Sequence, residues 1–287
     1  MLNEQKDQIV RAIKEEMQAK SLSQNAWATK KGISKSHMSN ILNPDNWAKV
    51  GERTWNVLAN KVAAVSLGSS LYPTSNMRII TAACQDAQIN KRVVAISGYT
   101  GAGKTTALKD YDSTNFNTHY LVCRSSFGVK DMAINIAESM GVQAKSGRTI
   151  DIEDAIIEKM NNSSESLLIL DSVSKLRKDA ALQFIGDLCE ATENKAGIII
   201  AGTEFLSDYI GKMVQRNKRG FRELNRRIYA WTNLPSFNTP KVQKEAIAIC
   251  KNHGIWNEQQ VKTILKKSTC FGSLHNSIDK MKKAIGN

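Results

Sequence analysis

The chain has 287 residues, 41% hydrophobic and 23% charged, with 40 Lys plus Arg against 27 Asp plus Glu. This composition excludes a disordered or fibrous chain and leaves room for one ordinary core with one or two small appendages. The net charge of +13 favours a polyanion as partner, although ribosome-associated, membrane-surface and simply soluble basic proteins share it.

No run approaches the length of a membrane span. The opening MLNEQKDQIVRAIKEEMQ carries acids throughout and no apolar core of signal-peptide type, so a cytoplasmic protein without a membrane partner is expected. The five cysteines, Cys84, Cys123, Cys189, Cys250 and Cys270, are scattered and never stand at metal-ligand spacing. Their expected state is the reduced, mostly buried thiol.

From Leu2 to about Leu67 the text is helical, with Ile9, Ile13 and Met17 on one face. Ser23 to Leu42 reads as helix, turn at Gly32, second helix, with Ala28 where the two cross and Ile33, Met38, Ile41 and Leu42 facing a core. The unit resembles the helix-turn-helix of the phage-repressor family. That resemblance implies groove-facing positions at Ser34, Lys35, Ser36, His37, Ser39 and Asn40. Helix pairs of this kind also dock proteins. SLGSSLYPTS then reads as a linker, and Met77 to Ile89 as an amphipathic helix with Ile79, Ile80, Ala83 and Ala87 inward.

GYTGAGKT, Gly98 to Thr105, follows the apolar run Val93 to Ile96 and satisfies G-x-x-x-x-G-K-[ST] at each fixed position. Gly98, Gly101 and Gly103 permit backbone conformations closed to other residues, so that successive N–H groups can surround phosphates. The expected ATP-binding set is Gly98, Tyr99, Thr100, Gly101, Ala102, Gly103, Lys104, Thr105 and Thr106. In it the Lys104 ammonium reaches the β- and γ-phosphates and the Thr105 hydroxyl holds Mg²⁺.

Strand and helix then alternate. Strands are expected at 119–123, 167–171, 197–201 and 228–232, and helices at 131–140, 152–160, 178–191 and 204–214. Continuous rather than alternating hydrophobicity implies a parallel sheet covered by helices, hence an α/β fold. From about Pro240 the text is helical again, at 242–253, 258–268 and 273–285.

Leu167 to Asp171 is an apolar strand ending in an acid, which places Asp171 where it can hold the Mg²⁺ water shell. With this Walker B pattern behind the P-loop, the chain from about Met77 onward resembles the AAA+ ATPases. The expected organisation is three domains and a linker: a helix-turn-helix unit at 1–67, the linker at 68–76, and, as the resemblance implies, a P-loop ATPase core at 77–235 and a helical lid at 236–287. The resemblance also implies that Thr203, at the tip of its strand, senses the γ-phosphate, a position equally suited to helix capping. Glu223 to Ile228 looks like the segment carrying the arginine finger, with Arg227 the first choice and Arg226 the second. A finger acts on a neighbouring subunit, so a homo-oligomer is implied.

Two departures stand out. Ser172 occupies the position where the family has a water-polarising glutamate, so hydrolysis is expected to be slow or to borrow Asp179 or Glu204. His275 stands in the neighbourhood of the usual lid arginine and is a poor substitute for a permanent charge.

The order of helix-turn-helix, compact ATPase and short lid resembles the target-selecting ATPases of DNA transposition, the phage Mu B family. This implies an ATP-dependent filament on double-stranded DNA, little sequence preference, and delivery of that DNA to a transposase. Loops holding a duplex need groups that contact phosphates. The candidates are Arg124, Ser125, Ser126 and Lys130, then Lys145, Ser146, Arg148 and Thr149, both stretches being equally plain solvated loops by composition; Lys212 to Arg219 is a third. The rival readings are a replicative helicase loader and an ATP-controlled transcription regulator.

Overall fold

The computed structural model describes residues 1–19, 22–30, 33–67, 72–144 and 146–285. Gly32, Lys145 and the first part of the expected linker lie outside the described residues. The chain divides into two compact units, Met1–Leu71 with Lys109–Thr118, and Tyr72–Leu108 with His119–Asn287.

In the first unit, α1 (Asn3–Ala19), α2 (Gln24–Lys30), α3 (Lys35–Leu42), a 3-10 turn (Pro44–Lys49) and α4 (Glu52–Leu67) enclose a small core. Ala28, Met38, Ile41 and Trp55 are wholly buried in it, and Trp47 meets Trp55 edge-on at 5.5 Å. Burying that much ring area compensates for the unit's small size. Ser34 caps α3, its hydroxyl accepting from the His37 N–H at 3.2 Å. Within the same unit Arg53 reaches Asp112, Nη2 to Oδ1 at 2.7 Å.

The second unit is built on β1 (Val93–Ser97), β2 (Thr118–Val122), β3 (Leu167–Asp171), β4 (Gly197–Gly202) and β5 (Ile228–Asn233). They form a parallel sheet in the order β2-β3-β4-β1-β5. Every residue of β1, β3 and β4 is buried, because helices cover both faces. Each wholly buried Leu or Ile contributes about 1.5–3 kcal/mol.

Around the sheet run α5 (Ser75–Asn90), α6 (Lys104–Thr114), α7 (Val129–Met140), α8 (Thr149–Asn162), α9 (Asp179–Ala191), α10 (Phe205–Gln215) and α11 (Phe221–Arg227). Helices α7 to α11 share one core with Ala95, Leu168, Leu170, Ile198 and Ile200. Helix α5 packs on β4 and β1. Its first turn takes in Ser75 and Asn76, both buried, so the helix starts inside the stretch expected to be linker. Three helices follow, α12 (Pro240–Asn252), α13 (Glu258–Lys266) and α14 (Phe271–Ile285), with their own core around Val242, Ala246, Ile264, Leu274 and Ile278.

Gly197 sets the approach of α5 to the sheet. A Cβ there would stand 2.2 Å from the Ala87 carbonyl oxygen, a backbone atom that cannot swing away. Gly197→Ala is therefore expected to cost about 1–3 kcal/mol and to lower the melting temperature by several degrees. An unchanged melt followed by circular dichroism would refute this close approach.

Candidate functional site

The sheet's carboxyl-terminal edge gathers the chemistry. The loop between β1 and α6 turns through Gly101 (φ 82°) and Gly103 (φ 87°), conformations that side chains other than glycine's resist. Gly98 lies so close to Leu234, and Gly101 to Cys270, that a Cβ at either would collide at 2.9 and 2.4 Å. The loop is thus a cradle whose floor is backbone. Thr100, Thr105 and Thr106 are exposed at its rim, Ala102 is buried, and Tyr99 is half-buried against the core of the last three helices.

Lys104 opens α6 and folds back over the loop, its Nζ donating to Gly98 O at 2.6 Å and Tyr99 O at 2.9 Å. Burial lowers its pKa from the ordinary lysine value, against the opposing pull of Asp171 and Glu204. Both carboxylates therefore lie within electrostatic reach of the ammonium.

Asp171 ends β3 at 1% exposure. Its Oδ2 accepts from the Thr105 hydroxyl at 2.7 Å and from the Tyr120 hydroxyl at 2.8 Å, while Ser172 Oγ lies 3.4 Å from Oδ1. Tyr120 on β2 was not singled out by sequence, where nothing in its spacing distinguishes it from other strand residues. Two hard oxygen donors, from Thr105 and Asp171, stand side by side and suit Mg²⁺. The cradle suits phosphates, and the fully buried Asn76, whose Nδ2 donates to Ala102 O at 3.2 Å, leaves its Oδ1 without a partner next to the loop. The residues present therefore fit ATP and Mg²⁺.

Thr203 follows β4, half-buried. Its N–H donates to Ser174 Oγ at 2.7 Å and its own hydroxyl lies 3.1 Å from the same oxygen. Gly202 makes that junction possible, since a Cβ there would stand 2.4 Å from Ser174 Oγ. Ser172 reaches the junction through a left-handed turn, φ 62°. Of the two acids expected to substitute for a glutamate at 172, Asp179 is already engaged: the Tyr209 hydroxyl at 2.8 Å and the Lys218 ammonium at 3.1 Å hold it below the usual carboxylate range. Glu204 is exposed beside Thr203.

The basic candidates separate in the same way. Arg227 is 12% exposed and ion-paired with Glu190 at 3.5 Å and with Glu193, both belonging to α9 or the turn after it. Arg226, its neighbour, is exposed. Arg148 closes a two-pronged pair on Asp151, at 2.9 and 3.0 Å, while Ser146 Oγ also contacts Asp151. Thr149 is half-buried at the start of α8. Arg124, Ser125, Ser126 and Lys130 are all exposed after β2. His275 meets His253 edge-on, ring centroids 5.5 Å apart.

The Arg227 pairs join α11 to α9 across more than thirty residues of sequence. With both glutamates largely exposed, Arg227→Ala is expected to cost about 1 kcal/mol, visible as a lowered melting temperature, while Arg226→Ala leaves the melt unchanged. Equal melts for the two variants would remove the structural role from Arg227.

Residues 88–210 match the AAA domain family. No curated protein matches the sequence. Among solved structures the fold is similar to that of a replication initiator, DnaA, bound to AMPPCP and single-stranded DNA: 15% identity, TM-score 0.50, 71% of this chain and 59% of that one. It is similar also to a DNA replication initiation factor (15%, 0.49, 71% and 59%) and to NtrX from Brucella abortus in complex with ATP (13%, 0.49, 83% and 58%). The chain spans about three-fifths of the length of these structures. At such identity the first of them speaks for the fold alone. Residues 88–210 are thus similar to the AAA domain, and the parallel sheet with its phosphate loop has the P-loop AAA+ fold.

Proposed function

We propose that the chain is an ATP-driven ATPase that binds double-stranded DNA without sequence preference, oligomerises through its nucleotide sites and delivers target DNA to a transposase. One observation carries the reading: the sheet edge that bears the phosphate cradle also bears exposed cations, Arg124 and Lys130, that have no ion-pair partner among the described residues. The net charge of +13 fits a phosphate backbone as the ligand.

In this reading the Lys104 ammonium exchanges the carbonyls of Gly98 and Tyr99 for the β- and γ-phosphate oxygens of ATP. Thr105 and Asp171 hold Mg²⁺, which supplies charge neutralisation when bound. Thr203 senses the γ-phosphate. Glu204, the unengaged acid beside it, orients the attacking water in place of the glutamate that Ser172 replaces. Arg226 serves the neighbouring subunit as the finger, because Arg227 is already consumed by Glu190 and Glu193. The absence of a base directly after Asp171 slows hydrolysis by up to roughly 10² to 10⁴ and favours a long-lived ATP-bound assembly. The N-terminal helix pair, with Lys35, Ser36 and Ser39 exposed, adds a second contact to DNA or a dock for the partner protein.

Binding to random-sequence duplex with ATP, ADP or no nucleotide tests the reading, scored by mobility shift and negative-stain microscopy. ATP-dependent filaments are expected, and Lys104→Ala abolishes them. A preference for single strands would favour a helicase loader instead, and one bounded footprint would favour a transcription regulator.

Steady-state turnover separates the two acids. Glu204→Gln is expected to lower the ATPase rate about 10²-fold with nucleotide affinity retained, whereas Asp179→Asn stays near wild type. The reverse ranking would move the water-orienting role to Asp179.

A further inference from the structure

A further basic segment adjoins this edge, Lys175, Arg177 and Lys178, in the short connection between β3 and α9. Strands β2 and β3 lie side by side to their ends, where Cys123 N donates to Asp171 O at 2.8 Å. The connections that leave them, 124–128 and 172–178, therefore start next to one another. They also stay together: Lys178 Nζ lies 3.4 Å from the point where a Cβ on Gly128 would stand. The Lys175 ammonium is near enough to the Cys123 thiol to oppose the burial that pushes its pKa up to about 12.

Arg124, Lys130, Lys175, Arg177 and Lys178 are all exposed, and none is ion-paired among the described residues. Asp131 Oδ2 accepts from the Gly128 N–H at 2.8 Å and lies on the same side of Gly128 as the Lys178 ammonium, without forming an ion pair with it. Elsewhere on this unit cations are closed by acids, as Arg148 is by Asp151 and Lys218 by Asp179. Five cations without an ion pair, on two adjoining connections and the first turn of α7, outnumber the one Asp131 carboxylate and repel one another, a cost that a polyanion removes.

The segment is also fastened to the nucleotide site. It begins directly after Asp171, passes through the left-handed Ser172, and is held by Ser174, whose hydroxyl takes the Thr203 N–H. Any shift of Thr203 is carried into the residue immediately before Lys175.

We propose that Lys175, Arg177 and Lys178 complete, with Arg124 and Lys130, one strip that grips the phosphate backbone of duplex DNA, and that Ser174 transmits the state of the nucleotide site to it. The strip rests on the reading of the chain as a DNA-binding ATPase. Phosphate contacts set register and affinity without reading sequence, as a strip of cations on loops would.

The test uses the full chain, a labelled random-sequence duplex and a non-hydrolysable ATP analogue, with affinity measured over a range of salt. The triple variant Lys175→Ala, Arg177→Ala, Lys178→Ala is expected to bind at least tenfold more weakly. Its log–log salt slope should fall by about 0.9 for each phosphate contact removed, with unchanged affinity for a fluorescent ATP analogue. The matched variant Lys266→Ala, Lys267→Ala, on α13 and the turn after it, should retain the wild-type slope. Ser174→Ala should keep duplex binding but lose the difference between ATP-analogue and ADP states. A wild-type chain that binds no duplex would sink the functional reading and the strip together. Wild-type binding with an unchanged slope in the triple variant, or an equal loss in the matched variant, would overturn the strip alone. A nucleotide difference that survives Ser174→Ala would overturn the transmission.

Discussion

A carboxylate at 1% exposure is costly to keep charged, and Asp171 is kept at the end of an apolar strand by hydroxyls from two other elements. Thr105 brings the first turn of α6, and Tyr120 brings β2. The acid thereby fixes the distance between the phosphate loop and the sheet edge. Removing either hydroxyl leaves a buried charge short of a partner, which costs more than the bond itself contributes. The same two oxygens that satisfy each other here are of the hard type suited to a divalent cation, and the hydrogen bond holds them side by side.

The last three helices reach the same loop from the other side. Phe271 N donates to Gly101 O at 3.1 Å, and Cys270 packs where a side chain on residue 101 would otherwise be. Farther along, Glu245 on α12 accepts from the N–H and hydroxyl of Ser75 at 2.9 and 3.0 Å, tying down the start of α5. The first contact is made by backbone and a short side chain, so it leaves little slack. Movement of the phosphate loop has to be shared with the helices that follow the ATPase sheet.

Much of this was legible in the sequence because it rests on local pattern. The strands are continuous apolar runs, and the phosphate loop is a contiguous motif whose glycines answer to backbone geometry. Asp171 was legible from the run that precedes it. What escaped depends on partners far apart in the chain. Nothing in the sequence around Arg227 announces its pairs with Glu190 and Glu193, which α9 and the turn after it supply from more than thirty residues away. Tyr120 and Ser174 carry no signature at all, since a tyrosine in a strand and a serine in a loop are common. The basic segment at 175–178 was hidden by its brevity. Residues 109–118, the end of α6 and the turn after it, group with the N-terminal helices rather than with the sheet, a division that no composition shift announces.

The left-handed Ser172 constrains what can be substituted at this position. Position 172 holds the backbone at φ 62°, ψ 33°, a region that costs most L-residues roughly 1–2 kcal/mol. Asparagine or glycine would accept the turn readily but bring no base, while glutamate would bring a base and resist the turn. Backbone preference and acid–base chemistry are thus bound to one side chain, and neither can be varied alone. A glutamate grafted there would meet the same left-handed backbone that Ser172 already occupies, at the bend that presents Ser174 to Thr203, so a change of base at 172 bears directly on the link between the sheet tip and the loop beyond it.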